Sequence, residues 1–407
     1  MSTESEIGSV ALDPDGRVAA LIEDGRTLPS HWYTDPAIHK LEQRLVFRRA
    51  WQYVGHRGMV ENVGDYFTCE VGGVPLVVVH SNDGVIRGLL NICRHRHHPV
   101  AVGSGNRSTF QCFYHAWTYK LDGTFHAAPR ARKANFDGCG LALASVPVEF
   151  FGDMLFVNPS GDAPPLLDAL APIPELAKTR GYPIDSARFR ATRHMNVSSN
   201  WKIFWDNNCE CYHCPTVHSA WARTVNTDGE HIYSYPIGPF HFETFEDTTD
   251  SGVPDYIFFA WPALCMCTPG TGGKVEAGDV VDAAGGVVRN GFIMERLVPI
   301  GTDSCRMEYD VYAVDSVTDE QVEEWLDSAF SIVTEDREVC ERLQHAHESG
   351  VGEPGTLITG IDSEYHTLVW QRLLYRALTE PETPLYAPLL ERAATWPELD
   401  ATAEGPS

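Results

Sequence analysis

Two short segments of the 407-residue chain carry four side chains that could together hold an iron–sulfur cluster. Cys93 and His95 form a C-x-H pair, sixteen residues follow, and Cys112 and His115 form a C-x-x-H pair. A Rieske-type [2Fe–2S] cluster needs this set, because two Cys bind one iron and two His bind the other. A structural zinc site also accepts Cys2His2, but zinc fingers pair Cys with Cys and His with His. The spacing therefore favours a Rieske cluster, which transfers single electrons.

A second candidate metal site lies in the segment DNNCECYHCPTVH, where His213 and His218 are five residues apart. On a continuous helix this offset is about 140° around the axis, so the two rings would not converge on one ion. Pro215 lies between them and breaks a helix. We therefore expect a helix whose last turn carries His213 and a following loop that returns His218 to the same place.

A carboxylate would complete this second site, since two His and one Asp or Glu form the facial triad of non-haem Fe(II) oxygenases. The best distant candidate is Asp336, in the segment SIVTEDREVCERLQ. An ordinary solvated acidic helix face would also explain the acidic residues here. The residues alone do not select Asp336 over Glu335.

Composition and charge exclude several classes of protein. The net charge of −25 argues against a nucleic-acid partner, because phosphate binding requires concentrated Lys and Arg. The chain has no apolar run long enough to span a membrane and no N-terminal signal-peptide pattern. Its eleven cysteines are an odd number, which favours reduced thiols and a cytoplasmic location over a disulfide framework.

The chain between residues 66 and 126 predicts a small antiparallel β domain. Strand-like runs alternate with turn signals at Gly72-Gly73, at 81–84 and at Asp122-Gly123, so both Cys/His pairs fall in loops. Further along, SNWKIFWDNNCECYH has helical length, and YIFFAWPALCM and GFIMERLVPIGTDSCRMEYDVYAV predict strands of a second sheet. A capping box at Thr318 and Gln321 predicts a long helix to about Gln344, and a last helix is expected over 363–378.

These elements predict an α+β protein with two main domains. We expect an N-terminal lead-in and helix (1–45), a small antiparallel β Rieske domain (46–160), a larger catalytic domain whose antiparallel sheet is flanked by helices (161–390), and a tail (391–407). The Gly-rich segment 268–288 is expected to be a surface excursion.

Three motifs make the chain resemble the terminal oxygenase α subunits of Rieske non-haem iron oxygenases. They are C-R-H-R…C-x-Y-H-x-W at 93–117, N-W-K…D-N-x-x-E-C-Y-H-C-x-x-x-H at 200–218, and E-D-x-x-x-C-E-x-x-Q at 335–344. The resemblance covers nearly the whole chain. It implies a [2Fe–2S] cluster and a mononuclear Fe(II), which together use electrons from a ferredoxin or an NAD(P)H-dependent reductase to hydroxylate a small-molecule substrate with O2.

The resemblance also implies roles for single residues. Asp336 matches the family's third iron ligand, beside His213 and His218. Glu210 matches a carboxylate that bridges the Rieske His of one subunit, here His115, to the iron-binding His of its neighbour. A bridge of this kind implies a ring of subunits, expected to be a homotrimer, with a small β subunit possible. Asn207 and Tyr212 match positions that support the iron, whereas Cys211 and Cys214 are interpreted as packing residues.

The chain departs from the family pattern next to both Rieske motifs. His97 and His98 follow C-R-H-R, where relatives usually carry Gly and a small residue, and Ala116 stands where Gly is usual. The two histidines could alter access to the cluster or its proton coupling. None of these departures removes a ligand.

The substrate is less well defined by the sequence. The E-C-Y-H-C and C-E-x-x-Q motifs resemble those of members that act on choline, betaine or carnitine, and those of aromatic-ring hydroxylases. Four aromatic residues, Trp205, Phe258, Phe259 and Trp261, could form a cation–π cage, an apolar ring pocket or simply core. An aromatic or related ring substrate is the main expectation, and a quaternary amine is the alternative. A Rieske electron-transfer protein without oxygenase activity is the alternative from another class.

Overall fold

The computed structural model describes residues 12–129, 136, 138–223, 232–238, 240–246, 255–269, 280–281, 287–359 and 364–386. The predicted tail (391–407) and most of the predicted surface excursion (268–288) lie outside these residues. Membrane crossing requires about twenty consecutive apolar residues in a helix, and the described helices include none of that kind.

The N-terminal half is built from short helices followed by small antiparallel sheets. The helices are α1 (Arg17–Glu23), α2 (His31–Thr34) and α3 (Pro36–Glu42), followed by a π-helical turn (Gln43–Phe47). The strands are β1 (Gln52–His56), β2 (Asp65–Val71), β3 (Val74–His80), β4 (Ile86–Leu90), β5 (Ser104–Asn106), β6 (Thr109–Gln111), β7 (Thr118–Lys120), β8 (Phe125–Ala127), β9 (Ser145–Val146), β10 (Val148–Phe151) and β11 (Met154–Val157).

These strands form three sheets, with strand orders β5-β2-β3-β4-β9, β6-β7-β8 and β1-β11-β10. The predicted turns connect them. Gly72 and Gly73 both have positive φ, and they join β2 to β3 in a two-residue hairpin in which Val71 faces Val74. The loops after β4 and β6 carry the two Cys/His pairs, so both pairs fall in loops of small antiparallel sheets, as predicted.

The C-terminal half is organised around a larger sheet. Its elements are α4 (Leu166–Ala169), α5 (Ile173–Thr179), β12 (Arg188–Val197), α6 (Trp201–Asn208), α7 (Cys214–Val217), β13 (Ile232–Pro236), β14 (Phe242–Glu246), β15 (Asp255–Ala260), β16 (Leu264–Cys267), β17 (Val280–Val281), β18 (Val287–Val288), β19 (Gly291–Pro299), β20 (Cys305–Ala313), α8 (Asp319–Glu348) and α9 (Tyr365–Thr379). Seven strands pair antiparallel in the order β12-β20-β19-β16-β15-β14-β13. The predicted α+β fold class is confirmed.

The two faces of this seven-stranded sheet pack against different layers. On β20, Met307, Tyr309 and Val311 join a core with residues of α6, α8 and α9, whereas Tyr312 packs on the side of α4 and α5. Side chains alternate between the faces because successive strand residues point in opposite directions. The face toward α6 and α8 is the one that carries the candidate active site.

Helix α8 follows the predicted pattern. The Gln321 backbone N–H donates to Thr318 Oγ1 at 3.3 Å, and the Thr318 backbone N–H donates to Gln321 Oε1 at 2.9 Å, so both bonds of the capping box form. The helix continues to Glu348, four residues beyond the predicted end. It therefore brings Glu335 and Asp336 in its middle across one face of the large sheet.

The prediction for the segment before His218 was wrong in two respects. Helix α6 ends at Asn208, so His213 lies in a loop and not in a last helical turn. The Glu210 carboxylate accepts a bond from the His213 backbone N–H at 3.2 Å, and such side-chain bonds compete with helix continuation. Pro215 does not break a helix; it lies in the first turn of α7, where its missing N–H costs nothing.

Cys211 and Cys214 form a disulfide in this structure. The expectation of reduced thiols therefore does not hold for this pair. Nine other cysteines are free, including Cys93 and Cys112.

Candidate active site

Two matched loops of the β domain present the four predicted cluster ligands. In the first loop the His97 N–H donates to the Cys93 carbonyl at 3.0 Å, and in the second the Ala116 N–H donates to the Cys112 carbonyl at 2.9 Å. Each loop thus closes a turn of the same size around its Cys/His pair. The rings of His95 and His115 come within 4.6 Å of each other, centroid to centroid.

The two departures from the family motifs lie at equivalent points of these loops. His97 has φ 60° and Ala116 has φ 58°, and they are the two non-glycine residues with positive φ in the described part of the chain. A Cβ disfavours this left-handed conformation, so Gly is the residue that fits it with least strain. The structure therefore gives a physical reason for the Gly that relatives usually carry at these positions.

The four candidate ligands differ in burial, and the difference follows their chemical type, as it would in a Rieske site. Cys93 and Cys112 are buried, whereas His95 and His115 are exposed. Tyr119 is buried beneath the loops; its hydroxyl accepts the Arg94 N–H at 2.9 Å and lies 3.3 Å from Cys93 Sγ. Hydrogen bonds to cluster sulfurs tune the reduction potential. Trp117 stacks on His95, with the ring centroids 4.7 Å apart, and so covers one face of this imidazole.

The second predicted site is assembled from the α6–α7 loop and the middle of α8. His213 Nε2 and His218 Nε2 are 3.2 Å apart, and they lie 3.3 Å and 3.1 Å from Asp336 Oδ1. His218 and Asp336 are buried, and His213 is half-buried. The three atoms therefore form a nearly equilateral triangle.

This triangle has the size expected for one face of an octahedral metal site. Nitrogen and oxygen ligands bind first-row divalent metals at about 2.1 Å, and adjacent ligands of an octahedron are then about 3.0 Å apart. The observed separations of 3.1–3.3 Å fit a facial triad. The residues present thus suit mononuclear iron.

Carboxylates hold the far nitrogens of both imidazoles. Glu210 Oε1 lies 2.6 Å from His213 Nδ1, and Glu335 Oε2 lies 2.8 Å from His218 Nδ1. Such partners fix the ring orientation and leave Nε2 free to bind a metal. The Asn207 amide donates to Asp336 Oδ1 at 2.9 Å, in line with its predicted supporting role. The Tyr212 side chain is exposed, and its backbone N–H donates to the Glu210 carboxylate that holds His213.

The electrostatics of this cluster favour a cation. Burial alone would lower the pKa of His213, but hydrogen bonds from its ring to the carboxylates of Asp336 and Glu210 raise this pKa to about 9. Burial would raise the pKa of Asp336, but contacts with His213 and His218 lower it to about 2. Three carboxylates thus surround two imidazoles, and the resulting negative potential suits a divalent metal.

A cavity of about 1040 Å³, including its opening to solvent, leads to this triad. One wall is the large sheet, which contributes residues of six strands: Ser234; Thr244 and Glu246; Asp255, Ile257 and Phe259; Cys265 and Cys267; Ile293 and Glu295; and Tyr309. The opposite wall comes from α8 and from the segment 207–221. Of the four aromatic residues singled out in the sequence, only Phe259 lines the cavity; Trp205, Phe258 and Trp261 are buried core residues.

Sequence reasoning missed two groups of residues in this site. Glu335 was considered only as an alternative ligand, and the structure places it on the far side of His218. Glu246, Cys265, Cys267 and Glu295 were not considered, although the two sulfurs and the Glu295 carboxylate lie within 4.8 Å of one another. A period-2 analysis of the strands could have placed them on one sheet face, but not opposite the histidines.

The fold and the comparisons with known proteins together define a two-domain iron oxygenase. Residues 50–147 match the model of the Rieske [2Fe–2S] domain, and residues 184–274 match the catalytic domain of ring-hydroxylating α subunits. The chain belongs to the Rieske non-haem iron oxygenases, and it is a terminal oxygenase component that combines these two domains. The predicted family, enzyme class and cofactors are thus confirmed.

Similar proteins of this family include two monooxygenases. The chain is 27% identical over 339 residues to the carnitine monooxygenase oxygenase subunit of Escherichia coli K12, covering 80% of this chain and 86% of that protein. It is 26% identical over 387 residues to the chloroplastic choline monooxygenase of Spinacia oleracea, covering 90% of this chain and 81% of that protein. Among solved structures, the quaternary ammonium Rieske monooxygenase CntA superposes with a TM-score of 0.74 at 25% identity, covering 88% of this chain and 97% of CntA.

Proposed function

We propose that His213, His218 and Asp336 bind the mononuclear iron, and that Cys93, Cys112, His95 and His115 bind the [2Fe–2S] cluster. The observation that carries the first assignment is the triangle of ligand atoms with sides of 3.1–3.3 Å. Asp336 and not Glu335 is the ligand in this proposal, because Asp336 Oδ1 faces both Nε2 atoms. The second assignment rests on two buried thiols beside two exposed imidazoles.

When bound, the cluster and the iron supply single electrons and the activation of O2 for hydroxylation of an organic substrate. The residues of the chain provide what these groups need. Glu210 and Glu335 hold the two imidazoles in the orientation that presents Nε2. The sheet and α8 form a cavity that positions a substrate next to the triad.

The arrangement of Glu210 supports electron transfer between subunits. Its carboxylate contacts His213 of its own chain, and no hydrogen bond among the described residues joins it to His95 or His115. The Rieske loops expose Phe113 at 93% and Tyr114 at 50%, next to His115, and Tyr212 beside Glu210 is also exposed. Exposed aromatic side chains thus lie both on the Rieske loops and beside Glu210. They fit contact surfaces that a neighbouring chain covers in a homotrimer.

The class requires an electron-transfer partner and a small-molecule substrate. We propose a ferredoxin or an NAD(P)H-dependent reductase as the electron donor, in the cytoplasm. The net charge of −25 favours a donor with a basic docking surface, because complementary charges speed association.

For the substrate we propose a quaternary or related cationic amine, the alternative weighed from the sequence. Carnitine and choline are the substrates named for the similar monooxygenases, and five carboxylates line the cavity of this chain. An aromatic ring, the main expectation from the sequence, would offer no positive charge to the carboxylates of this lining that lack a cationic partner among the described residues.

The test is substrate-dependent O2 uptake by the reddish-brown enzyme with a generic reductase and NADH. Trimethylammonium compounds should stimulate uptake and yield hydroxylated or demethylated products, and aromatic hydrocarbons should not. Iron analysis should give three irons per chain; two irons per chain without substrate oxidation would indicate an electron-transfer protein. Stimulation by ring compounds alone would overturn the amine assignment.

A further inference from the structure

The five carboxylates that line the cavity are unequally partnered. Glu210 contacts His213, Asp336 contacts both imidazoles, and Asp255 lies 3.4 Å from the guanidinium of Arg289. Each of these three groups therefore already faces a positive or metal-binding partner. Glu246 and Glu295 have no such partner among the described residues.

Glu246 ends strand β14 with its carboxylate in the cavity wall. Its side chain is buried, with 7% of the residue exposed, and it makes no hydrogen bond or ion pair with any described residue. The neighbouring carboxylate of Asp255, its cross-strand partner, repels it. A buried acid without a partner destabilises a fold, so its presence in a cavity points to a ligand that compensates it.

Glu295 lies in the middle of β19, between Cys265 and Tyr309 on the adjacent strands. The Cys267 thiol donates to Glu295 Oε1 at 3.3 Å, which is a weak bond for a carboxylate. Glu246 pairs with Asp255 and Glu295 pairs with Cys265 in the sheet register, so strands β15 and β16 lie between the two acids. Both carboxyl groups thus lie on the sheet wall of the same cavity.

The rest of the described lining is suited to the same ligand. It contains no Lys or Arg, but it includes four large aromatic side chains, Trp221, Phe259, Tyr309 and Trp325. Aromatic faces attract cations that have lost their water. Outside the proposed iron site, a carboxylate on a ligand would find no Lys or Arg among the described lining residues.

We propose that Glu246 and Glu295 are specificity-determining residues that select a substrate with net positive charge and no carboxylate. The cationic nitrogen lies against this sheet wall, where it stabilises the ionised form of the two carboxyl groups, and a neutral tail occupies the remainder of the cavity. The inference rests on the proposed amine substrate, and it adds a charge rule that separates choline-like compounds from zwitterions such as betaine.

Three probes of nearly equal shape test this rule. Choline carries the cation and a neutral tail, glycine betaine adds a carboxylate, and 3,3-dimethyl-1-butanol replaces the cationic nitrogen of choline with carbon. Calorimetric titration of the holoenzyme at pH 8 measures their binding, and coupled O2 uptake measures turnover. Choline should bind at least about tenfold more tightly than either other probe.

Substitution should change the order of these affinities. Glu246→Gln and Glu295→Gln should each weaken choline binding about tenfold or more, while betaine binding stays equal or tightens because one repulsive charge is lost. Glu246→Asp and Glu295→Asp keep the charge and should retain most of the choline affinity. Glu338→Gln, on the exposed surface of α8, removes the same charge outside the cavity. This variant should change neither the choline affinity nor the betaine affinity.

Equal binding of choline and betaine by the native enzyme would overturn the charge rule but leave the amine function intact. Equal loss of both ligands in the Gln variants would also overturn it, because a merely structural role affects the probes alike. If no trimethylammonium compound binds and a ring compound does, the proposed function and this inference both fail.

Discussion

Glu335 and Asp336 are neighbours in the sequence, yet they contact opposite nitrogens of the same imidazole. Glu335 Oε2 is 2.8 Å from His218 Nδ1, and Asp336 Oδ1 is 3.1 Å from His218 Nε2. Consecutive helix residues point about 100° apart, so α8 holds the ring of His218 from two directions. One carboxylate can therefore act as a ligand while the other fixes the ring.

This relationship predicts two different results from two neighbouring substitutions. Asp336→Ala should remove the mononuclear iron and retain the visible spectrum of the Rieske cluster, because the triad loses a ligand. Glu335→Gln should retain a site whose iron affinity is about 10–100-fold weaker, since only the orientation of His218 is affected. Iron content after dialysis against a graded chelator measures both effects.

The matched control is Glu338→Gln, one turn away on the exposed side of the same helix. It should keep native iron content at every chelator concentration. Loss of iron from Glu335→Gln as complete as that from Asp336→Ala would contradict the division of roles between the two carboxylates.

The sequence predicted those parts of the site that depend on local spacing. The Rieske pairs lie within two loops, and the hairpin turns of the same domain depend on local residues such as Gly72 and Asp122. The capping box at Thr318 placed the start of α8 correctly for the same reason. These features could be predicted because each is determined by residues a few positions apart.

The cavity wall could not be predicted, because it depends on which strands pair. Glu246 lies on β14 and Glu295 on β19, and β15 and β16 separate them in the sheet. The end of α6 was also missed, since a single side chain, Glu210, bonds to the backbone there and replaces the next helical turn. Helix propensity does not include such a bond.

Glu210→Gln should separate metal binding from electron transfer. The amide oxygen can still accept a hydrogen bond from His213, so iron and cluster content should stay near native. The amide nitrogen cannot accept a second bond, so the connection to the neighbouring subunit's cluster is lost. Substrate-coupled turnover should fall by orders of magnitude, because the carboxylate connects the two centres in the proposed trimer. Single-turnover oxidation of the prereduced cluster measures this step directly, and native rates would remove Glu210 from the electron path.

Glycine at the two left-handed positions should stabilise the Rieske domain. Ala116→Gly relieves a φ of 58° and should raise the free energy of unfolding by about 1 kcal/mol. His97→Gly should gain less, since His tolerates this conformation better than most residues. Thermal loss of the cluster absorbance measures the change. Arg94→Gly, in the same loop without a positive φ, should instead destabilise, and a similar gain there would contradict the strain argument.

Stability should depend on pH through Glu246 in a sense opposite to that of most carboxylates. Burial and the nearby Asp255 raise the pKa of Glu246 from 4.5 to about 8. Between these values the folded state binds a proton that the unfolded state has released, so this group lowers stability as pH rises from about 4.5 to about 8. Above about pH 8 the ionised carboxylate has lowered the free energy of unfolding by its full amount. Asp255 on β15 with its partner Arg289, and Cys265 on β16, are the titratable or charged groups that face Glu246.

Glu246→Gln cannot ionise, so without substrate it should match the native enzyme in stability near pH 5 and exceed it by a few kcal/mol at pH 9. Denaturant unfolding across this range measures the difference. Glu243→Gln on the same strand is the control, because Glu243 is equally buried but pairs with Arg180 at 3.0 Å. That change leaves a guanidinium without its partner and should destabilise at pH 9. A Glu246→Gln variant less stable than the native enzyme at pH 9 would show that the acid has a partner in the fold, and that its role is structural.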